Sequence, residues 1–249
     1  MRAPPLVRRV PSLLVTRLLL ASASPARRAT LVSAGIDPLV AVSGVDEDAV
    51  LAAAHARFGA LEPADAVLVL AQAKVEATAR GLSDGTLEAT GSTAAVDGTL
   101  PDTDDESTGV ILLGCDSMLE LDGVVLGKPL DAVDAVARWQ AMRGRTGTLH
   151  TGHWLIDDRA VEAGGTRGTL GATSSTIVHF ADVSDAEIHA YVGTGEPLAV
   201  AGAFTIDGLG GAFITGIEGD HHGVVGLSLP LLRELLGEIG VAITDLWTS

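Results

Sequence analysis

Short apolar runs alternate along the chain with longer stretches of helical periodicity, which is the pattern of an α/β protein. The run from Val110 to Leu113, bounded by Gly114, predicts a buried strand that ends at Cys115-Asp116. Asp116 is therefore expected at the carboxyl end of a strand. A carboxylate in that position is a candidate oxygen ligand for a cation or a candidate base.

A β-hairpin is predicted directly after this strand. Segments 117–121 and 124–126 flank Asp122-Gly123, a pair suited to a type I′ turn because Gly tolerates positive φ. The hairpin would return Lys128 towards Asp116, and a carboxylate and an ammonium facing one cleft suit a metal-bound phosphate ester or anhydride. The alternative is an ordinary hairpin with an Asp that caps a turn and a solvated Lys.

The N-terminal part predicts a strand, a turn and a helix. A strand over 17–21 is followed by Ser24, a good N-cap, and by Pro25 at the favoured first helical position, with the helix running to about Ala34. The free N–H groups of such a terminus favour an anion, to which Ser22 and Arg27 would add a hydroxyl and a guanidinium. The alternative is a plain cap with surface arginines.

Two further charged residues are candidates. A strand over 40–45 leads into Asp46-Glu47-Asp48, which precede a helix over 49–58, and Lys74 lies on a helix over 64–80. Glu47 is either a second carboxylate for a cation or an acidic residue favoured near a helix N-terminus. An isolated Lys on a helix is usually solvated, so Lys74 alone indicates little.

The second half predicts further α/β elements. Helices are expected over 131–142, 184–192 and 230–239, and strands over 149–156 and 172–183, joined by a polar tip over 157–171. His150 and His153 do not share a face of their strand, and His221 and His222 point to opposite sides if extended. Neither pair is expected to bind a metal.

The chain divides into three parts by composition. Residues 1–16 are expected to be a disordered leader, and residues 17–249 a single domain. A flexible acidic insertion is predicted at 82–109, a segment rich in Gly, Ser, Thr and Asp that contains no Lys or Arg.

Charge and cysteine content exclude several function classes. The net charge of −16 argues against general nucleic-acid binding, which depends on Lys and Arg that neutralise phosphates. No run approaches the roughly 18 apolar residues of a spanning helix, so no membrane partner is expected. The single cysteine, Cys115, cannot form an internal disulfide, and a cytoplasmic location is expected.

Eight short motifs occur in order along the chain: S-A-S-P-A-R at 22–27, V-D-E at 45–47, L-A-Q-A-K at 70–74, G-C-D-S at 114–117, L-G-K-P at 126–129, T-G-E-P at 194–197, A-G-A-F-T-I-D-G at 201–208 and G-D-H-H-G-V-V-G-L at 219–227. Together they resemble the Maf family. The resemblance implies an α/β fold, related to that of inosine triphosphatases, with a mixed central sheet, flanking helices and a deep cleft.

The resemblance also implies an activity and a set of site residues. The activity is hydrolysis of nucleoside triphosphates to monophosphate and pyrophosphate with Mg²⁺ or Mn²⁺, with a link to arrest of septum formation and with a homodimer as the expected assembly. Catalytic residues would be Asp116, Glu47 and Lys128, of which Asp116 and Glu47 would also hold the metal. Substrate-binding residues would be Ser22, Ser24, Arg27, Lys74, Ser117 and Asp207. The alternative function is that of a non-catalytic, nucleotide-binding regulator of septum formation.

Three positions depart from one branch of that family. The branch that resembles thymidine and uridine triphosphate hydrolases has Arg, Thr and Gln at the positions that match Ala26, Ser117 and Asp207. An ionised Asp207 accepts but cannot donate a hydrogen bond, whereas a Gln can donate to a base carbonyl. We therefore expect no strong preference for thymidine or uridine triphosphate.

Overall fold

The computed structural model describes residues 16–91 and 109–248. Its strands are β1 (Thr16–Leu20), β2 (Leu39–Val40), β3 (Gly109–Leu121), β4 (Val124–Leu126), β5 (Thr146–Asp157), β6 (Thr169–Phe180) and β7 (Ile214–Glu218). Its α-helices are α1 (Pro25–Ser33), α2 (Glu47–Phe58), α3 (Pro63–Ser83), α4 (Ala132–Met142), α5 (Asp185–Gly193), α6 (His221–Val225) and α7 (Leu229–Glu238). Thr16 belongs to β1, so the predicted leader is one residue too long, and the rest of that leader lies outside the described residues.

The strands form one mixed sheet in the order β2-β1-β3-β5-β6-β7, with β4 added to β3. Strands β2, β1 and β3 are parallel, whereas β4, β5, β6 and β7 pair with their neighbours antiparallel. Helices lie on both faces of this sheet, which confirms the predicted fold class. No helix in the described part of the chain is long and apolar enough to cross a membrane.

Strand β3 is the centre of the sheet, and one of its edges is only partly paired. Along one edge it pairs with β5 over 111–120. Along the other edge β1 pairs with 109–113 and β4 with 119–121, and no described strand pairs with the interval Gly114–Met118. This open interval contains Asp116. The predicted strand end at Asp116 is therefore wrong, because β5 continues the ladder past the point where β1 stops.

Helix α3 packs unusually close to β3 and β5. A Cβ atom added to Gly114 would lie 2.3 Å from the Ala71 carbonyl oxygen, and one added to Gly152 would lie 2.5 Å from that of Val67. Only glycine allows such an approach of a helix backbone to a strand. Gly152 is the register partner of Asp116, so this contact brings α3 over the open interval.

Several predicted boundaries need correction. Of the strand expected over 40–45, only Val40 lies in β2, which begins at Leu39. Strand β5 extends beyond the predicted 149–156 at both ends, and β6 lies three residues closer to the N-terminus than the predicted 172–183. His221 and His222 open a short helix instead of an extended segment, because Asp220 accepts hydrogen bonds from the backbone N–H groups of His222 and Gly223.

The predicted acidic insertion is too wide at both ends. Leu82 and Ser83 complete α3, and the Leu87 N–H donates to the Gly81 carbonyl at 2.8 Å. Thr90 forms a bridge with Val40 beside β2, and Gly109 begins β3. The remainder of the insertion, residues 92–108, lies outside the described residues.

Candidate active site

Asp116, Lys74 and Glu47 form a connected group of charges at the open interval of β3. The Lys74 ammonium lies 2.5 Å from an Asp116 carboxylate oxygen and 2.8 Å from a Glu47 oxygen. Asp116 is 6% exposed, whereas the Glu47 side chain is about half exposed. The three residues predicted separately from three motifs are therefore brought together, with the ammonium between two carboxylates.

Each of these side chains is positioned by a different element. Lys74 is one turn beyond Ala71, whose carbonyl lies against Gly114, so the close packing of α3 aims Lys74 at Asp116. Glu47 is the first residue of α2, and Asp46 caps that helix by accepting from the Ala49 N–H at 3.0 Å. The cap fixes where α2 begins and hence where Glu47 lies.

The environment favours a protonatable Asp116. Burial raises the pKa of Asp116, and the positive charges of Lys74 and Arg27 only partly offset that effect. A buried carboxylate with a raised pKa is a better proton acceptor than a solvated one at neutral pH.

Arg27 lies on the other face of β3 and ties four segments together. Its Nε donates to the Gly226 carbonyl at 2.8 Å and its Nη1 to the Cys115 carbonyl at 2.9 Å and the Ser22 Oγ at 3.1 Å. Its Nη2 donates to the Ser117 Oγ at 3.1 Å. Arginine has five N–H donors, so these bonds within the described chain leave one N–H and the charge for an anion.

The turn before α1 has the geometry expected of an anion site. Ser24 caps the helix, and its Oγ accepts from the Arg27 N–H at 3.4 Å. The Ser22 Oγ accepts from the Ser24 N–H at 3.2 Å and from Arg27, so the Ser22 hydroxyl proton remains free to donate. Ser22, Ser24 and Arg27 are thus adjacent and oriented at a helix N-terminus.

Ser117 is linked to a residue that the sequence analysis did not single out. The Ser117 and Thr151 hydroxyls are 2.9 Å apart, and Thr151 donates to the Gly223 carbonyl at 2.9 Å. Thr151 is fully buried and pairs with Ser117 across β3 and β5. Only the β3–β5 register, which the sequence does not specify, could have identified it.

Lys128 and Asp207 are both exposed, on loops that touch each other. Asp122 and Gly123 have positive φ, as predicted for the hairpin turn. Lys128 follows β4, but no hydrogen bond or ion pair joins its side chain to Asp116 in the described structure. The Gly202 N–H donates to the Gly127 carbonyl at 3.0 Å, which connects the Lys128 segment to the loop that leads to Asp207.

Glu196 shapes the loop that carries Asp207. Its carboxylate accepts from the Leu209 and Gly210 N–H groups, each at 3.1 Å, and from the Thr205 and Tyr191 hydroxyls. Burial would raise the pKa of Glu196, but these hydrogen bonds outweigh it and lower the pKa. The motif T-G-E-P contained this residue, yet its spacing gave no indication of a role.

His150 and His153 make hydrogen bonds on opposite faces of the sheet. His150 contacts Glu120 and Ser175 on one face of the sheet, whereas His153 accepts from the Ser228 N–H at 2.8 Å on the other. In the described part of the chain, no group of three or more His, Cys, Asp or Glu residues is arranged to hold a metal ion. A groove of about 350 Å³ between α4 and α5, lined by residues such as Val133 and His189, contains none of the site residues.

Comparisons with known proteins identify the family. The model of the family described as "Maf-like protein" matches residues 17–239. The chain belongs to the Maf family. A relative from Streptomyces avermitilis named nucleoside triphosphate pyrophosphatase is 49% identical over 232 residues, covering 93% of this chain and 95% of the relative.

Two further relatives carry the same name. The protein from Salinispora tropica is 51% identical over 233 residues, covering 93% of this chain and 88% of the relative. The protein from Leifsonia xyli subsp. xyli is 49% identical over 231 residues, covering 93% and 96%. The matched range 17–239 contains β3 and the segments that carry the candidate site residues.

Proposed function

We propose that this Maf protein is a nucleoside triphosphate pyrophosphatase, which hydrolyses its substrate to a nucleoside monophosphate and pyrophosphate. The observation that carries the proposal is the Asp116–Lys74–Glu47 group beside the anion-binding turn at Ser22–Arg27. A buried base and a set of phosphate donors at one open sheet edge are what attack of water on a phosphoanhydride requires.

The two carboxylates fit a divalent cation. Mg²⁺ is commonly held by one or two carboxylates together with substrate phosphates and waters, and Asp116 and Glu47, which share the Lys74 ammonium, would supply those carboxylates. A bound Mg²⁺ or Mn²⁺ would neutralise phosphate charge and polarise the anhydride. Lys74 contacts both carboxylates and supplies a positive charge next to the phosphates that such a cation would bind.

Each candidate site residue has a separate role in the proposed reaction. Asp116 orients a water molecule and accepts its proton while the water oxygen bonds to the α-phosphorus. The bond from the α-phosphorus to the bridging oxygen breaks, and pyrophosphate leaves with that oxygen. Lys74, Lys128 and Arg27 stabilise the negative charge of the transition state, and the Ser22 and Ser24 hydroxyls position the phosphates.

The test is to incubate the purified protein with normal and modified triphosphates plus Mg²⁺ or Mn²⁺ in water labelled with ¹⁸O. We expect pyrophosphate as a product and the label in the monophosphate, because the water attacks the α-phosphorus. Release of orthophosphate with a diphosphate would contradict this mechanism. Tight binding without turnover would instead support the regulator of septum formation, the rival function.

Cellular role and assembly are inferred from the resemblance alone. They are removal of non-standard nucleotides, with a link to arrest of septum formation, in a cytoplasmic homodimer. The single buried Cys115, which can form no internal disulfide, agrees with a reducing compartment. Sedimentation equilibrium of the purified protein tests the dimer, and a monomer at micromolar concentration would contradict it.

A further inference from the structure

The segment that carries Lys128 is fixed to helix α4 by its backbone. Arg138 donates from Nη1 to the Gly127 carbonyl at 2.7 Å and from Nη2 to the Lys128 carbonyl at 3.3 Å. The Asp134 carboxylate accepts from the Leu130 N–H at 2.9 Å. Polar backbone groups before, at and after Lys128 are thus bound by two side chains of one helix.

Arg138 and Asp134 are themselves paired and partly buried. Their side chains form an ion pair at 2.7 Å and are 15% and 29% exposed. The hydrogen bond from Arg138 is the main cause that lowers the pKa of Asp134. A planar guanidinium that spans two carbonyls and a carboxylate defines an orientation that a lysine ammonium could not.

The same helix also holds the neighbouring loop. The Trp139 Nε1–H donates to the Ala203 carbonyl at 2.7 Å, and Gly202 donates to the Gly127 carbonyl that Arg138 binds. Buried Trp139 packs edge-on against Phe180 and Tyr191, so its position is rigid. Helix α4 therefore anchors the loops of both Lys128 and Asp207.

We infer that Arg138 is a positioning residue for the Lys128 ammonium, an inference that rests on the proposed catalytic role of Lys128. The Lys128 side chain is exposed, and its backbone is the part that the described contacts hold. The ammonium of a long side chain contacts a transition state efficiently only if the backbone that carries it is held in place. Misplacement of a catalytic group by about 1 Å can lower the rate by about 10²-fold.

The test is a double-mutant cycle with Arg138→Ala and Lys128→Ala, measured as kcat and KM for pyrophosphate release by the full chain. Arg138→Ala should lower kcat by between about 10- and 100-fold. In the Lys128→Ala background the same substitution should cost less than about 2-fold, because coupled residues are non-additive. Arg138→Lys should recover little, since it keeps the charge but not the two-carbonyl geometry.

Arg143→Ala is the matched control. Arg143 follows the same helix and binds the Val183 carbonyl at 3.2 Å and Asp185 at 2.6 Å, on elements that carry none of the site residues. This variant should retain wild-type kcat, and thermal unfolding of all variants should show a folded protein.

Two results for Arg138→Ala would overturn the inference. One is an Arg138→Ala loss that is equally large with and without Lys128, which would show that Arg138 acts independently of Lys128. The other is unchanged kcat in Arg138→Ala. Unchanged kcat in Lys128→Ala alone would reject the proposed role of Lys128 and with it the inference, whereas absence of pyrophosphate from the wild type would reject the proposed function itself.

Discussion

At the scale of single residues, the Lys74 ammonium controls the ionisation of Asp116 in the absence of substrate. It stands between Asp116 and Glu47 at hydrogen-bonding distance from both. Without it, the buried Asp116 carboxylate would lack its nearest cation, and burial would raise its pKa further. Lys74 therefore keeps Asp116 able to ionise in a site that disfavours charge.

Asp116→Asn should lower turnover by at least ~10²-fold, the lower end of what loss of a general base costs. The amide cannot accept the proton from water, although it is nearly isosteric. The measurement is kcat for pyrophosphate release, with thermal unfolding to confirm the fold. Cys115→Ala, a change of the adjacent buried side chain on the opposite face of β3, is the control and should stay within about 3-fold of wild type. Wild-type turnover in Asp116→Asn would reject Asp116 as the base.

Glu47→Gln should lower turnover and raise the Mg²⁺ concentration needed for half-maximal rate, because one of the two cation ligands would lose its charge. A titration of the rate with Mg²⁺ measures both effects. Asp48→Asn is the matched control, since Asp48 is the next acidic residue of α2, is exposed and has no ion pair with Lys74. If Glu47→Gln and Asp48→Asn depended on Mg²⁺ equally, Glu47 would be no more than an acidic residue that stabilises the N-terminus of α2.

At the scale of elements, the sequence predicted what depends on local pattern and missed what depends on pairing. The Ser24 cap and the Asp122-Gly123 turn are both present. Asp116 was placed at a strand end because Gly114 and the polar residues after it break the apolar run. The β5 ladder that continues the strand joins residues about 40 positions apart, and no local signal reports such a pairing.

Arg138 shows the same limit at the candidate site. An Arg on the polar side of an amphipathic helix normally lies in solvent, so nothing in the pattern distinguished it from Arg143. Arg138 binds the Gly127 carbonyl because β4 ends next to α4, whereas Arg143 binds Asp185 on α5. The candidate site residues predicted from sequence all lie in or beside the ordered family motifs. Thr151 lies outside those motifs and Glu196 lies inside one, but the hydrogen bonds that give both residues their parts depend on the folded chain.

The insertion can now be removed at corrected boundaries. The Thr90 bridge lies beside β2, and β1 separates β2 from β3, so Gly91 and Gly109 are about three strand spacings apart across the sheet. They are also about four residues apart along the strand direction, which gives a total distance of roughly 20 Å. A flexible bridge of about ten Gly and Ser residues spans that distance. Replacing 92–108 by this bridge should leave kcat within about 3-fold of wild type, because no site residue is lost.

The wider deletion of 82–109 is the informative contrast. It would remove the last turn of α3, the Thr90 bridge to Val40 and the first residue of β3. We expect a clear drop in melting temperature for this protein but not for the bridged one. Loss of activity in the bridged protein, with its melting temperature unchanged, would instead assign 92–108 a direct part in substrate binding.

The loop held by Glu196 carries the prediction on base selection. Asp207 is exposed on that loop, where an ionised carboxylate would accept from base N–H groups and repel carbonyl oxygens. Thymidine and uridine triphosphates should therefore not be strongly preferred, and Asp207→Gln should shift kcat/KM towards them. Asp207→Ala, which removes the acceptor without adding a donor, separates the two effects. A strict pyrimidine preference that neither variant changes would show that Asp207 does not contact the base.

At the scale of the whole molecule, buried hydrogen bonds join the C-terminal helix to the sheet at two points. His153, which is fully buried, accepts from the Ser228 N–H that begins α7, and its Nδ1–H donates to the Thr151 carbonyl at 3.0 Å. Arg159, paired with Asp157 at 2.7 Å, donates to the Ile239 carbonyl that follows α7. Because Thr151 also binds Ser117, the first of these connections extends to the candidate site.

These two anchors respond to acid in different pH ranges. Burial lowers the pKa of His153 to about 4, below its ordinary value of 6.5. Burial would raise the pKa of Asp157, but hydrogen bonds from Arg159 and Thr166 outweigh it and lower the pKa to about 2. The stability that ionised Asp157 contributes is present above pH 3.8, the ordinary pKa of Asp, and is lost as the pH falls from there to about 2. The stability that depends on neutral His153 is lost at higher pH, as the pH falls from 6.5 to about 4.

The unfolded chain binds a proton at His153 as the pH falls through 6.5, and the folded chain does not until about pH 4. The free energy of unfolding should therefore fall with decreasing pH across this range, by roughly 3 kcal/mol from His153 alone. His153→Gln, whose amide can still accept from Ser228, should be less stable at pH 7 but show a shallower decline, measured by urea unfolding at several pH values. His55→Gln, a change of an exposed histidine on α2, should follow the wild-type curve. Every other titratable group is common to wild type and His153→Gln, so the difference between their curves reports His153. Parallel curves for these two proteins would show that His153 is not buried in its neutral form.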